Sequence, residues 1–288
     1  MSLFAQARRT FHDRLLGSIL NVGQSGVPSN ADGDNRASIQ IASAIVARLG
    51  KASLKERQAA QTAGIAFEDS CAEFLATTFL ALGRLRPGNW LVGTPAKLFD
   101  NRTQKTIAGF DQFEHLAELE ALAKANPNLA AALGGDYLIK PDIVIARQPE
   151  ADETINAAAC YVDGDVARRT PLRRANAAAP ILHASISCKW TLRSDRAQNA
   201  RSEALNLVKN RKGRVPHIAV ITAEPTPARI ASIALGTGEI DCVYHFALPE
   251  LEAALQTLEY SDASLMLRTL IDGKRLRDIA DLPLDLAV

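Results

Sequence analysis

Two hydrophobic periodicities follow one another along the chain. In the first third, apolar residues recur at helical spacing, which predicts amphipathic helices over 4–20, 37–49 and 62–85. A polar loop around Ser29-Asn30-Ala31-Asp32-Gly33 separates the first two. The third helix has an apolar stripe of Ile65, Phe67, Cys71, Ala72, Phe74, Leu75 and Phe79, with Asp69, Ser70, Glu73 and Thr77 on its wet face. Glu68 falls inside the stripe. A charge left unpaired there costs several kcal/mol, so Glu68 either pairs with an arginine or faces a metal or an active-site water. Residues 109–133 read as an acidic helix and then an apolar one, broken at Asn126-Pro127.

Farther along, the pattern becomes that of strands alternating with helices. Residues 137–146 read as a strand in which Pro141, unable to donate to a ladder, marks an edge or a bulge beside Asp142. The Ala-rich stretch 147–180 reads as a strand pair with a loop around the arginines at 168–174. Then come a strand at 181–189, a helix at 195–209, a strand at 217–223, a helix at 227–235, a strand at 241–246 and a helix at 249–258. This order predicts an α/β protein with a central mixed β-sheet flanked by helices and a helical N-terminal part. No repeat or low-complexity tract divides it, so residues 1–288 read as a single domain.

Hydrophobic content of 47% and charged content of 23% are those of a soluble globular protein, and a net charge of +1 gives no whole-chain affinity for nucleic acid. The distribution of charge changes that picture. Residues 189–214 hold eight Lys/Arg against two acids, an electrostatic footprint for a polyanion. Cysteines 71, 160, 188 and 242 lack CxxC spacing and read as small buried hydrophobes rather than disulfides or zinc ligands. The N-terminus lacks the apolar core of a signal peptide and no run is long enough for a membrane span, which predicts a cytoplasmic protein with no membrane partner.

Candidate chemistry centres on Lys189, a cation closing an otherwise apolar strand. Asp142 at a strand start, the Cys188 backbone carbonyl at a neighbouring strand end and Glu203 on the next helix are oxygen donors suited to Mg²⁺. Lys189 would then face an attacking water or a phosphate oxygen. The bland reading is a surface Lys–Asp pair of little energetic consequence. The adjoining helix favours the first. Ser194 or Asp195 can cap its start, which places Arg193-Ser194-Asp195-Arg196 at the tip where nucleic-acid-reading helices carry their specificity residues. Eight residues on, about 12 Å along the axis, lies Glu203. Arg forks match guanine O6 and N7, and an Asp carboxylate accepts from cytosine N4, so the cluster suits G·C pairs. His183 and His245 lie in apolar strands and read as core histidines, and Trp90 and Trp190 as packing residues. Arg229 opens a helix beside the same sheet edge, either touching DNA or serving structure.

The run from His183 through Thr191, followed by Arg193-Ser194-Asp195-Arg196-Ala197-Gln198-Asn199-Ala200-Arg201-Ser202-Glu203, closely resembles the CCGG-recognising group of PD-(D/E)XK type II restriction endonucleases. So do Thr222-Ala223-Glu224-Pro225-Thr226-Pro227 and the terminal Asp281-Leu282-Pro283-Leu284-Asp285-Leu286. The resemblance implies a restriction-endonuclease-like fold and Mg²⁺-dependent cleavage of duplex DNA at GCCGGC, giving 5′-phosphate and 3′-hydroxyl ends. It also implies a homotetramer of two back-to-back dimers, functionally paired with a cognate DNA methyltransferase. By position, Asp142, Lys189 and Glu203 become the catalytic core, Glu68 an accessory acid, and Asp142 and the Cys188 carbonyl metal ligands. Arg193, Asp195 and Arg196 become readers of the inner CCGG, and Gln61 and Arg229 of the outer pair and flanks. Ser187 stands where the wider superfamily has an acid two residues before the lysine, and Glu203 would supply that acid from the helix. Two other classes stay open: a DNA-binding protein without hydrolysis, and a structure-specific repair nuclease of the same superfamily.

Overall fold

The computed structural model describes residues 1–50, 60–133 and 137–288. Its centre is a six-stranded sheet in the order β1 (Trp90–Gly93), β2 (Ile143–Arg147), β3 (Ile181–Lys189), β4 (His217–Thr222), β5 (Cys242–His245) and β6 (Leu276–Asp278). The first three strands pair antiparallel, and β3 to β6 run parallel. The helices are α1 (Leu3–Ser18), α2 (Arg36–Leu49), α3 (Ala60–Phe79), α4 (Pro95–Leu98), α5 (His115–Ala125), α6 (Pro127–Leu133), α7 (Asp152–Ile155) and α8 (Ser194–Asn210). They continue with α9 (Pro227–Ala234), α10 (Leu248–Leu258), α11 (Ser261–Asp272) and α12 (Leu282–Asp285). The mixed α/β architecture and the helical N-terminal part are as the apolar patterning predicts.

Local chemistry sets the helix starts. Ser2 caps α1 through the Ala5 backbone N–H, Asn35 caps α2 through that of Ser38, and Pro227 opens α9 in the first turn, where its missing N–H costs nothing. Parallel strands need crossovers, and α8 and α9 supply them between β3, β4 and β5. Ser187 points toward Glu203 on α8, while the next residue, Cys188, hydrogen-bonds to Cys71 on α3. Successive strand residues face opposite ways, so α8 and α3 cover opposite faces of β3. One hydrophobic cluster runs through both layers from Phe11 to Leu286, with Phe67, Phe79, Phe110 and Phe246 fully buried. Each such ring removes 150–250 Å² from water. Among the described residues no helix is long and apolar enough to cross a membrane.

Several sequence expectations change. The strand predicted over 137–146 begins only at Ile143. Residues ahead of it are irregular, with the Ile139 carbonyl accepting from the Ile107 backbone at 3.0 Å, and β2 is interior, so Pro141 marks no edge. The ladder irregularity lies farther on, between Ile145 and Ala146. No strand pair forms over 147–180. Apart from α7 and an isolated bridge between Glu150 and Arg173, the segment is loop, organised by a buried guanidinium. Arg173 forks onto Asp152 at 2.9 and 2.5 Å and donates to the carbonyls of Val166 and Asp163. Helix α3 ends at Phe79 rather than reaching 85, and Ile65, expected in its buried stripe, is 52% exposed: two residues of helix turn it about 200° away from the buried Ala63 and Phe67.

Candidate active site

All four parallel strands end at one sheet edge, while β2, running the other way, begins there. Open α/β sheets bind ligands at the carboxyl ends of their strands, and this edge gathers the ionisable groups picked out above. Because Ile143 is in register with Ile186, Asp142 lies beside the tip of β3. Its Oδ2 accepts from the Cys188 backbone N–H at 2.7 Å, the Lys189 ammonium at 3.1 Å and the Ser187 hydroxyl at 3.2 Å. In an extended strand the N–H and C=O of one residue point the same way. The Cys188 carbonyl therefore faces Asp142's side, beyond the last paired residue of β2. The Cys188 thiol is buried against Cys71 on the other face, and burial pushes its pKa well up, so it is no nucleophile.

Glu203 approaches from α8 and Glu68 from α3, on opposite faces of β3. Burial pushes the Glu203 pKa up, partly offset by Lys189, and Asp142 adds repulsion; a hydrogen bond from Ser187 favours the charged form. Ser187 thus lies within reach of both Asp142 and Glu203, and its single proton serves one at a time. Glu68 is raised to about 7, first by burial and then by Asp142, with Lys189 opposing. Burial depresses the Lys189 pKa, but Asp142 and Glu203 outweigh it and the ammonium is held above its ordinary value. Lys189 therefore stays charged at neutral pH. Of the two readings open for Glu68, this geometry supports the one facing the site: among the described residues it has no arginine partner.

Three carboxylates share one lysine, so the centre carries excess negative charge and favours a cation. Among the described residues no three His, Cys, Asp or Glu side chains form a ready-made metal cage. A hard divalent cation commonly keeps waters and takes one or two carboxylates plus substrate phosphate.

The residues expected from the sequence to contact DNA flank this centre. Arg193, and not Ser194 or Asp195, occupies the N-cap of α8, without a side-chain cap bond. The helix closes one residue earlier than expected because the Ala197 N–H reaches the Arg193 carbonyl at 3.0 Å, leaving the Asp195 carboxylate exposed at the tip. Arg193 is exposed, and Arg196 is half-buried and bonds to the Thr191 hydroxyl at 3.0 Å. Gln61 is exposed in the first turn of α3, seven positions and two turns before Glu68 on the same side. Arg229 pairs with Asp32 and lies 3.9 Å from Glu224. Asp32 carried no periodic signal in its polar loop, and sequence reasoning missed it. Asn30 pins that loop to the edge by donating to the Ala223 carbonyl at 2.9 Å.

The basic stretch is not one footprint. Lys209 lies in the last turn of the 17-residue α8 and Arg211, Lys212 and Arg214 lie past it, about 25 Å from its tip. Arg201 is bound to Glu239 at 2.6 Å. Only Lys189, Arg193 and Arg196 of that stretch serve the site end.

A family model described as NgoMIV restriction enzyme matches residues 11–288. Over 287 residues the chain is 56% identical to the type II restriction enzyme NgoMIV of Neisseria gonorrhoeae, covering 99% of each protein. The chain belongs to the NgoMIV restriction enzyme family. As a member of the NgoMIV family it is a site-specific DNA endonuclease, a hydrolase acting on double-stranded DNA. The same membership accounts for the helix-flanked mixed sheet as a restriction-endonuclease fold.

Proposed function

We propose that this endonuclease hydrolyses duplex DNA at GCCGGC with Mg²⁺, leaving 5′-phosphate and 3′-hydroxyl ends, and that Asp142, Lys189, Glu203 and Glu68 form its catalytic centre. The observation that carries the reading is the Lys189 ammonium bonded to Asp142 at 3.1 Å, with Glu203 and Glu68 near enough to feel both charges, at the edge where α8 presents its arginine tip. Asp142 and the Cys188 carbonyl would hold the ion, with Glu203 completing its surroundings. When bound, Mg²⁺ supplies positive charge against the negative charge developing on the phosphate.

The protein's own groups do the rest. Lys189, permanently protonated, can only donate, so it orients the attacking water and binds a non-bridging phosphate oxygen. Asp142 holds that ammonium and the strand tip in place at once. Glu68, poised near pH 7, is the group able to exchange a proton under working conditions. The new bond joins water oxygen to phosphorus, the bond to the 3′-oxygen breaks, and the departing oxygen takes up a proton.

Arg193, Asp195 and Arg196 read the inner CCGG, with Ser194 in the same turn. Arg229 with Asp32 reads the outer G·C pair, since a guanidinium and a carboxylate match the acceptors of guanine and the donor of cytosine. Gln61, on the outer turn of α3, contacts the flank. A palindrome fits a two-fold dimer, and the same reading assembles two dimers back to back into a homotetramer. It treats residues 1–288 as one catalytic and DNA-binding domain built on one core. The enzyme works in the cytoplasm beside a methyltransferase that protects host sites.

Lys189→Ala and Glu203→Ala, assayed with Mg²⁺ on a duplex carrying GCCGGC, should each lower kcat by about 100-fold or more. Sequence-specific binding in a gel shift should persist. Cleavage at the wild-type rate by either variant would sink the assignment. Wild-type protein that binds the site yet never cuts would mark a binding protein instead.

A further inference from the structure

Glu224 lies outside the catalytic centre yet is 1% exposed. One carboxylate oxygen accepts from the Leu192 backbone N–H at 2.9 Å and the other from that of Thr226 at 3.1 Å. Leu192 directly precedes Arg193, the cap of α8, and Thr226 is the cap of α9, the helix that carries Arg229. The Arg229 guanidinium, paired with Asp32, lies 3.9 Å from the first of those oxygens. The Glu224 backbone N–H donates to the Thr222 hydroxyl at 3.1 Å, and that hydroxyl donates to the Lys189 carbonyl at 2.8 Å. A single buried side chain thus ties the lead-in of one reading helix to that of the other, and its backbone ties both to the catalytic lysine.

Packing alone does not call for this residue. A buried carboxylate is costly to desolvate, and an apolar side chain of similar volume is often neutral or better for stability. What a carboxylate adds is two acceptors at fixed spacing, each holding a backbone N–H that no helix ladder satisfies.

We propose that Glu224 is a positioning residue for sequence recognition, holding the Arg193–Arg196 tip and the Arg229–Asp32 pair in register with each other and with Lys189. This rests on the reading that those residues contact base pairs. Glutamine keeps the size but offers one acceptor, turning an amide N–H₂ against the second backbone donor. Aspartate keeps the charge but is one methylene short of spanning both donors.

The test uses full-length wild type, Glu224→Gln and Glu224→Asp, with kcat and KM measured on two duplexes. One carries GCCGGC, and the other differs only in its outer base pair. Cutting by the wild type is mapped first, so a different cleavage sequence would count against the reading of the site, and the variants would then be compared on the sequence found. Displacing a reading group by about 1 Å costs on the order of 100-fold. Glu224→Gln should therefore lower the kcat/KM ratio between the two duplexes by about tenfold or more, with KM for the true site rising. Glu224→Asp should recover part of that loss. A merely structural role would lower the melting temperature and the active fraction while leaving KM and the ratio alone. A ratio within about twofold of wild type in the folded variants would overturn the proposal. If Glu224→Gln does not fold, the ratio measured for Glu224→Asp decides.

Discussion

Glu68 offers a quantitative handle, because its carboxyl is unsettled by the same surroundings that make the centre attract a cation. Holding it near 7 rather than at its ordinary 4.5 corresponds to about 3 kcal/mol against the ionised form. The side chain is only half-buried, and screening by water reduces this to about 1.5 kcal/mol. Between pH 4.5 and about 7 the folded protein keeps a proton on Glu68 that the unfolded chain has lost. Metal-free stability therefore falls as pH rises through that window, and the full cost is present above it. Glu68→Gln removes the charge at every pH. Melting in EDTA should find the variant level with wild type near pH 4.5 and more stable at pH 8, by about 3–6 °C at 2–4 °C per kcal/mol. Adding Mg²⁺ at pH 8 should raise the wild-type melting temperature more than the variant's. A wild-type-to-variant difference that is absent at pH 8, or equal at both pH values, would refute the reasoning.

Other outcomes follow from contacts described above. Asp32→Ala should free Arg229 and weaken discrimination at the outer base pair by about 1–3 kcal/mol, read as the ratio of cleavage rates on duplexes differing there. Ser187→Ala removes the hydroxyl shared by Asp142 and Glu203 and should lower kcat by about tenfold with KM little changed. Phe67→Ala, emptying a fully buried site against Trp190 at 5.2 Å between ring centroids, should cost about 3–5 kcal/mol in urea unfolding.

The parts of the fold legible in the sequence were those with a sustained period. The β3–α8–β4–α9–β5 succession and the first three helices emerge because each buries one face over enough residues for the pattern to repeat. Strands β1 and β6, four and three residues long, are too short for alternation to register. The loop over 147–180 is organised by Arg173, whose five-donor fork gathers carbonyls without any periodic signal. Ile65 misled because an apolar residue two positions from the buried Ala63 and Phe67 faces the opposite side of the helix.

For the site, Asp142, Lys189 and Glu203 could be grouped because two strand ends and a position about two turns into α8 place them by simple geometry. Asp32 and Glu224 could not. One comes from a loop 197 residues away from Arg229, the other from the turn after β4, and only tertiary packing unites them. The positive stretch misled for a related reason: charge counted along the chain ignores that a helix carries its two ends to opposite edges of a sheet.

The most direct test of the central claim is to sequence the ends of long duplex DNA digested by the wild-type enzyme with Mg²⁺. Every end should map to GCCGGC and carry a 5′-phosphate, with none produced in EDTA. Uncut DNA, ends scattered without a common sequence, or equal cutting in EDTA would contradict the account.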